Sequence, residues 1–245
     1  MLKFKNVTIS YHKNYLKDSV FDDVSFYLKE GEIIGIIGKS GYGKSTILKS
    51  IFDNSLIKEG ELIYNNTDIL SSSRKTRKKF KKSISFIDQD NLILEDYDFY
   101  HNVLFSYDRY QNWFFKKIKY LTARELDLLW DILKKLNLED FAFIPLTKLS
   151  SGQKQRLNIA RALFNDGQII LADEPTSNLD FNNSELVMQL FKEEAKKNKL
   201  VLIAIHDLDL ALKYCDKLVA LKNHEIYKFI DKKDFNLAEI KEYFD

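Results

Sequence analysis

Apolar and polar positions alternate along the first part of the chain. Residues 2–11, Leu-Lys-Phe-Lys-Asn-Val-Thr-Ile-Ser-Tyr, keep a period close to two, and residues 19–28 repeat it. Such alternation predicts half-buried strands, the second closed by Lys29-Glu30-Gly31-Glu32 as a turn. Residues 60–66 predict a further strand and turn, and Ile84-Ser85-Phe86-Ile87 a short strand leading into Asp88-Gln89-Asp90. From residue 100 to 138 the period changes to that of a helix. Leu126, Leu129, Trp130, Leu133 and Leu136 recur at steps of three and four, a stripe expected to face a core. Two uniformly apolar runs, Ile169-Ile170-Leu171-Ala172 and residues 200–205, predict parallel strands buried on both faces. Strand and helix patterns that alternate in this way predict an α/β fold.

A third apolar run, Ile33-Ile34-Gly35-Ile36-Ile37, leads into Gly38-Lys39-Ser40-Gly41-Tyr42-Gly43-Lys44-Ser45-Thr46. This stretch fits G-x-x-x-x-G-K-[ST], and residues 47–51 read as the start of a helix. Strand, glycine-rich turn and helix N-terminus in that order make a phosphate cradle. Glycines let backbone N–H groups approach phosphate oxygens, and the helix dipole adds positive potential. In such a loop Lys44 reaches the β- and γ-phosphates and the Ser45 hydroxyl is a ligand for Mg²⁺. The whole chain has 8 Gly, and four of them, Gly35, Gly38, Gly41 and Gly43, lie in or just before this loop.

The run ending Ala172-Asp173-Glu174-Pro175 sets two acids at the C-terminal end of a strand, where α/β sheets bind ligands. Asp173 can orient Mg²⁺ directly or through water, and Glu174 can take a proton from an attacking water. A pair of strand-end capping acids is the alternative for these two carboxylates taken alone.

Bulk properties set limits. With 245 residues the chain is expected to be one large domain or a core with a smaller lobe. No apolar run approaches the 18 or more residues that cross a bilayer, and the first residues do not resemble a signal peptide. The single cysteine, Cys215, excludes an internal disulfide, suits a reducing compartment and reads as a packing residue. A net charge of +2 gives no global argument for nucleic acid. The run Arg74-Lys75-Thr76-Arg77-Lys78-Lys79-Phe80-Lys81-Lys82 is a local exception. A solvated helix face is its first reading, with anionic lipid and nucleic acid as alternatives.

Leu149-Ser150-Ser151-Gly152-Gln153-Lys154-Gln155-Arg156, followed by Ile159-Ala160-Arg161-Ala162-Leu163, resembles the L-S-G-G-Q signature of ATP-binding-cassette (ABC) ATPases. Ser151 stands where that family usually has its first glycine. The remaining family motifs follow in order. Tyr11 resembles the aromatic residue that stacks on adenine. Gln89 resembles the glutamine that joins the nucleotide site, as a metal and catalytic contact, to the transmembrane partner. Ser177-Asn178-Leu179-Asp180 resembles the loop at the dimer seam, and His206 the histidine that contacts the γ-phosphate.

The resemblance implies a P-loop NTPase of ABC type across residues 1–245. It implies a RecA-like core, an antiparallel β lobe and a helical signature-motif lobe over about 90–165. ATP and Mg²⁺ are the implied cofactors. Glu174, His206, Lys44 and Gln89 are the implied catalytic set, with Tyr11, residues 38–46, Ser150, Gly152 and Gln153 binding nucleotide. Ser45, Gln89 and Asp173 are the implied metal contacts.

Implied partners are a second ATP-binding subunit, homodimeric in the simplest case, and transmembrane permease subunits at the cytoplasmic face of the membrane. A substrate-binding protein is implied if the system imports, and no nucleic acid. The stretch 109–120 and residues 206–216 resemble the ATPases of phosphonate importers. Lipoprotein-exporter, cell-division and non-transport ABC ATPases are the alternatives.

Overall fold

Alternate burial runs through β1 (Leu2–Ser10), whose Leu2, Phe4, Val7 and Ile9 are buried while Lys3 and Lys5 are exposed. It pairs antiparallel with β2 (Ser19–Leu28). The computed structural model describes residues 1–11, 19–88, 94, 96–241 and 243. After β2 the chain crosses to β3 (Ile33–Ile37), every residue of which is buried, and enters α1 (Lys44–Phe52). It returns through β4 (Ile57–Tyr64) and the short β5 (Thr67–Asp68), then forms α2 (Arg74–Lys82) and β6 (Ile84–Ile87). β4 begins three residues before the start expected at Gly60, because Ile57 is already paired with Ile9.

The segment expected to be helical from 100 to 138 is three helices: α3 (Phe99–Ser106), α4 (Trp113–Ile118) and α5 (Ala123–Lys135). Short polar side chains make the breaks. Asp98 caps α3, Asn112 caps α4, and Thr122 with Glu125 forms a reciprocal capping box on α5. Leu129, Leu133 and Leu136 of the expected stripe are buried, and Leu126 and Trp130 pack half-buried against them. α6 (Ser151–Phe164) begins inside the signature-like motif. Then follow β7 (Ile169–Asp173), α7 (Phe181–Lys196), β8 (Leu200–Ala204), α8 (Leu208–Tyr214), β9 (Lys217–Lys222), β10 (Glu225–Asp231) and α9 (Leu237–Lys241).

Two sheets result. β2-β1-β4-β5 is antiparallel. β10-β9-β3-β8-β7-β6 is parallel except for the edge strand β10. The two faces of the parallel sheet feed different cores, as a period of two requires. Ile170, Ala172, Val201 and Ile203 face α3, α5, α6 and α7, whereas Ile169, Leu171, Leu200 and Leu202 face α1 and the antiparallel sheet. Strand order reverses at β3, whose neighbours β8 and β9 both come from the C-terminal half. The C-terminal ends of β3, β7 and β8 therefore converge on one crevice.

Among the described residues no helix is long and apolar enough to cross a membrane. Cys215 is buried after α8, and burial pushes its thiol up to about 12, as suits a packing residue.

Candidate functional site

The loop leaving β3 turns through left-handed backbone. Gly41 has φ 86° and Gly43 φ 94°, and Gly43 precedes α1 without any side-chain cap on the helix. A Cβ at Gly43 would lie 2.5 Å from the Phe21 ring, so both its conformation and its neighbour demand glycine. With no side-chain cap bonded to them, the first N–H groups of α1 are suited to an anion. The Lys44 side chain folds back over the loop. Its ammonium donates to the carbonyls of Gly38 at 2.8 Å and Lys39 at 3.2 Å. Burial lowers its pKa, while Glu174 and Asp173 nearby hold the charge on.

Asp173 ends β7 and is buried. Burial raises its pKa against a hydrogen bond from Ser45, and the Glu174 and Asp88 carboxylates add to the rise. Among the described residues its Oδ1 has no hydrogen-bond partner. A buried, orphaned carboxylate oxygen beside a serine hydroxyl and a phosphate loop is a donor set that fits Mg²⁺, a hard cation held by one or two carboxylates plus phosphate oxygens. Asp173→Asn is expected to stabilise the nucleotide-free chain by about 1 kcal/mol, a rise in Tm of roughly 2–4 °C. A carboxylate whose folded pKa is raised is best tolerated when protonated. The advantage of the variant should therefore vanish at low pH. It should grow as pH rises from the ordinary carboxylate range through the raised value, and persist above it. Thermal melts across that range check this; a variant less stable at neutral pH would contradict it.

Glu174 follows at φ 47°, an uncommon conformation for a non-glycine residue. Its N–H donates to the Ala204 carbonyl at 3.1 Å, and its carbonyl accepts from both the Ser177 N–H and hydroxyl. The backbone is thus tied to β8 and to the following turn. His206 lies just past β8, and its Nε2 is 2.6 Å from Glu174 Oε1. The two border an open cavity of about 420 Å³ with Ser177, Phe181, Ser184 and Asp207. Tyr11, half exposed, brings its hydroxyl 3.1 Å from the Thr46 hydroxyl, so the aromatic residue stands beside the start of α1.

The signature-like residues lie at a second helix N-terminus. Ser150 caps α6, accepting from the Gln153 N–H at 3.2 Å while the Gln153 side chain accepts from the Ser150 N–H at 2.9 Å. A Cβ at Gly152 would stand 2.9 Å from the Asn178 carbonyl, and Gln155 donates to the Pro175 carbonyl at 3.2 Å. These contacts seat the α6 N-terminus against the turn that follows Glu174.

Residues 38–46, Asp173, Glu174, His206 and Tyr11 therefore gather at one crevice, with Ser150, Gly152 and Gln153 at a separate helix N-terminus. Gln89 lies outside the described residues. Asp88, not singled out in the sequence, also belongs to the crevice. It follows β6, faces Asp173 electrostatically, and lies 3.7 Å from the Lys49 ammonium. Its position after a parallel strand was the available signal.

Comparison with known proteins bears on this geometry. The family model described as ABC transporter matches residues 21–177. The phosphonates import ATP-binding protein PhnC of Fusobacterium nucleatum is 34% identical over 94% of this chain and 93% of its own length. The probable ABC transporter ATP-binding protein p29 of Mycoplasma genitalium is 38% identical over 92% of this chain and 90% of its own. A dimeric ATP-binding cassette in a post-hydrolysis state, bound to ADP and Pi, superposes with a TM-score of 0.80 at 32% identity, covering 96% of this chain and 100% of that one. A phosphate cradle, buried acids at strand ends and a capped signature helix occur here in a chain of matching length and topology, and the chain belongs to the ABC transporter family as an ATP-binding, ATP-hydrolysing subunit.

Proposed function

We propose that residues 1–245 act as one cassette that hydrolyses ATP with Mg²⁺ as half of a head-to-tail pair, powering a bacterial importer of the phosphonate type. The observation that carries the chemistry is the pairing of Glu174 with His206 at the rim of an open cavity, with the Glu174 carboxylate also acting on the Lys44 ammonium of the phosphate loop. Glu174 is the general base, accepting the proton of the attacking water, and His206 orients that carboxylate and contacts the γ-phosphate. Lys44 leaves the Gly38 and Lys39 carbonyls to meet the phosphates, and the N–H groups of residues 41–46 line the same anion. Asp173 and Ser45 would hold Mg²⁺, which when bound neutralises charge on the phosphates. Gln89 is assigned the remaining metal contact by resemblance alone.

Ser150 and Gly152 cannot serve the phosphate loop of their own chain in this reading; a second copy presents them. The capping bond on Ser150 uses an oxygen lone pair and leaves its O–H free to donate to a γ-phosphate oxygen. Phe181, strongly exposed after Asp180, lies where the two copies would meet. A groove of about 780 Å³ lined by Phe52, Leu56, Lys81, Phe86, Arg161 and Asn165 borders Asp88. It suits a short amphipathic helix of a permease at the cytoplasmic face of the membrane. Residues 91–94, which follow Gln89 and would lie beside such a helix, are outside the described residues except Leu94, which is exposed. The phosphonate assignment rests on the PhnC relative and on the extension at residues 109–120.

Two readouts test the proposal. Glu174→Gln with saturating ATP should elute as a dimer and the nucleotide-free chain as a monomer, because two phosphate sites bridged across one interface supply the differential affinity. A monomer by light scattering under saturating ATP would remove the homodimer. With its permease in proteoliposomes, ATPase activity should rise when a phosphonate-loaded binding protein is added; no response across a panel of phosphonates would remove the cargo class.

A further inference from the structure

Two basic segments that the ATPase chemistry does not use come together on one surface. α2 carries seven Lys or Arg in nine residues, all exposed, and buries only Phe80. α4 and its flanks expose Trp113, Phe114, Ile118 and Tyr120, with Trp113 at 74% the most exposed large hydrophobic among the described residues. Lys116, Lys117 and Lys119 are interleaved with them. Asp108 joins the two segments, pairing with Lys82 at 2.5 Å and also with Lys116. Arg109 reinforces the joint by donating to the Lys82 and Asp166 carbonyls. Residues 74–82 and 105–120 together hold eleven basic side chains and one acid, against a net charge of +2 for the whole chain.

We propose that this surface rests directly on anionic lipid headgroups, beside the permease. The inference depends on the reading that the cassette works at a membrane, and adds a contact that the permease does not supply. Charge complementarity is the first argument. Eleven cations with one intervening acid attract a negatively charged leaflet, and their long stems reach past the aromatic rings to do so. The aromatic residues are the second. Trp and Tyr rings beside lysines suit the headgroup boundary, where an apolar body and a polar rim are both satisfied. A surface made only to stay solvated has no use for Trp113, Phe114, Ile118 and Tyr120 in eight residues. Continuity is the third. Phe52, Lys81, Ile84, Ser106 and Asn165 line both the groove assigned to the permease and the adjoining hollow between α2 and Arg109, so the patch flanks the face turned to the membrane.

The purified cassette, without permease, would be sedimented with vesicles of equal phosphatidylglycerol and phosphatidylcholine and with vesicles of phosphatidylcholine alone. Partition to the anionic vesicles should be about tenfold stronger or more at about 0.1 M NaCl, and largely lost at about 0.5 M. Trp113→Ser with Phe114→Ser, and separately Lys75→Glu with Lys78→Glu and Lys79→Glu, should each lower it by about tenfold. Basal ATPase activity should be unchanged in both, since none of these side chains borders the crevice. Equal partition to both vesicle types, or full binding by the aromatic variant, would overturn the proposal. So would variants that bind vesicles normally but lose binding to single-stranded polyuridylate, which would mark a nucleic-acid surface. The ATP-driven dimer of Glu174→Gln is followed in parallel, so failure of lipid binding is separable from failure of the cassette reading.

Discussion

Glu174→Gln is expected to lower kcat by about 10²–10⁴-fold while leaving ATP affinity nearly unchanged. The amide keeps the length and planarity of the carboxylate and can still bond His206 Nε2, 2.6 Å away in the native chain, but it cannot take a proton from water. The backbone conformation at φ 47° strains Gln as much as Glu, so the variant should fold and melt like the parent. Single-turnover hydrolysis beside equilibrium binding of a fluorescent ATP analogue separates the two effects. Hydrolysis within threefold of wild type would remove Glu174 as the base. Full loss of binding would show that the side chain holds nucleotide rather than activating water.

Lys44→Ala should act on the other parameter. A buried ammonium that meets phosphate directly is worth about 2–5 kcal/mol on truncation, so ATP affinity should fall by at least roughly thirtyfold. Stability should move little. The substitution removes a desolvated charge whose pKa burial has lowered, which favours folding. It also deprives the Gly38 and Lys39 carbonyls of their donor, which opposes it. Titration of the same analogue, with a thermal melt on the same sample, checks both statements. Unaltered affinity would mean that Lys44 stays on the loop carbonyls when nucleotide binds.

Much of the crevice was legible because its residues are close in sequence. Residues 38–46 are one turn between a strand and a helix, and Asp173-Glu174 one strand end, so local pattern alone marks them as a phosphate cradle and an acid pair. The resemblance alone singles out His206 and Tyr11, and the fold places them beside Glu174 and Thr46. Periodicity marks 100–138 as helical but registers only apolar spacing, so it does not show where one helix ends and the next begins. Its breaks depend on single side chains, Asn112 and Thr122, folding back onto backbone N–H groups. For Asp88 the one local signal is its place after a short strand; the packing of β6 against β7 is what sets it facing Asp173.

The sequence by itself determined the class of fold, the phosphate loop, the two strand-end acids and the motif at the start of α6, since each is written in residues within a few positions of one another. Tertiary structure alone decided what spans long separations. It brings β3 between β8 and β9, and so puts Lys44, Asp173 and His206 at one crevice. It leaves Asp173 Oδ1 buried without a partner among the described residues, and turns Lys44 onto its own loop. It also joins α2 to α4 through Asp108, making one surface of two basic runs that the sequence keeps about thirty residues apart. The reason is that local pattern reports which face of an element seeks the core. The partner an element meets depends on chain crossings, whose closure costs and packing are shared across the whole molecule.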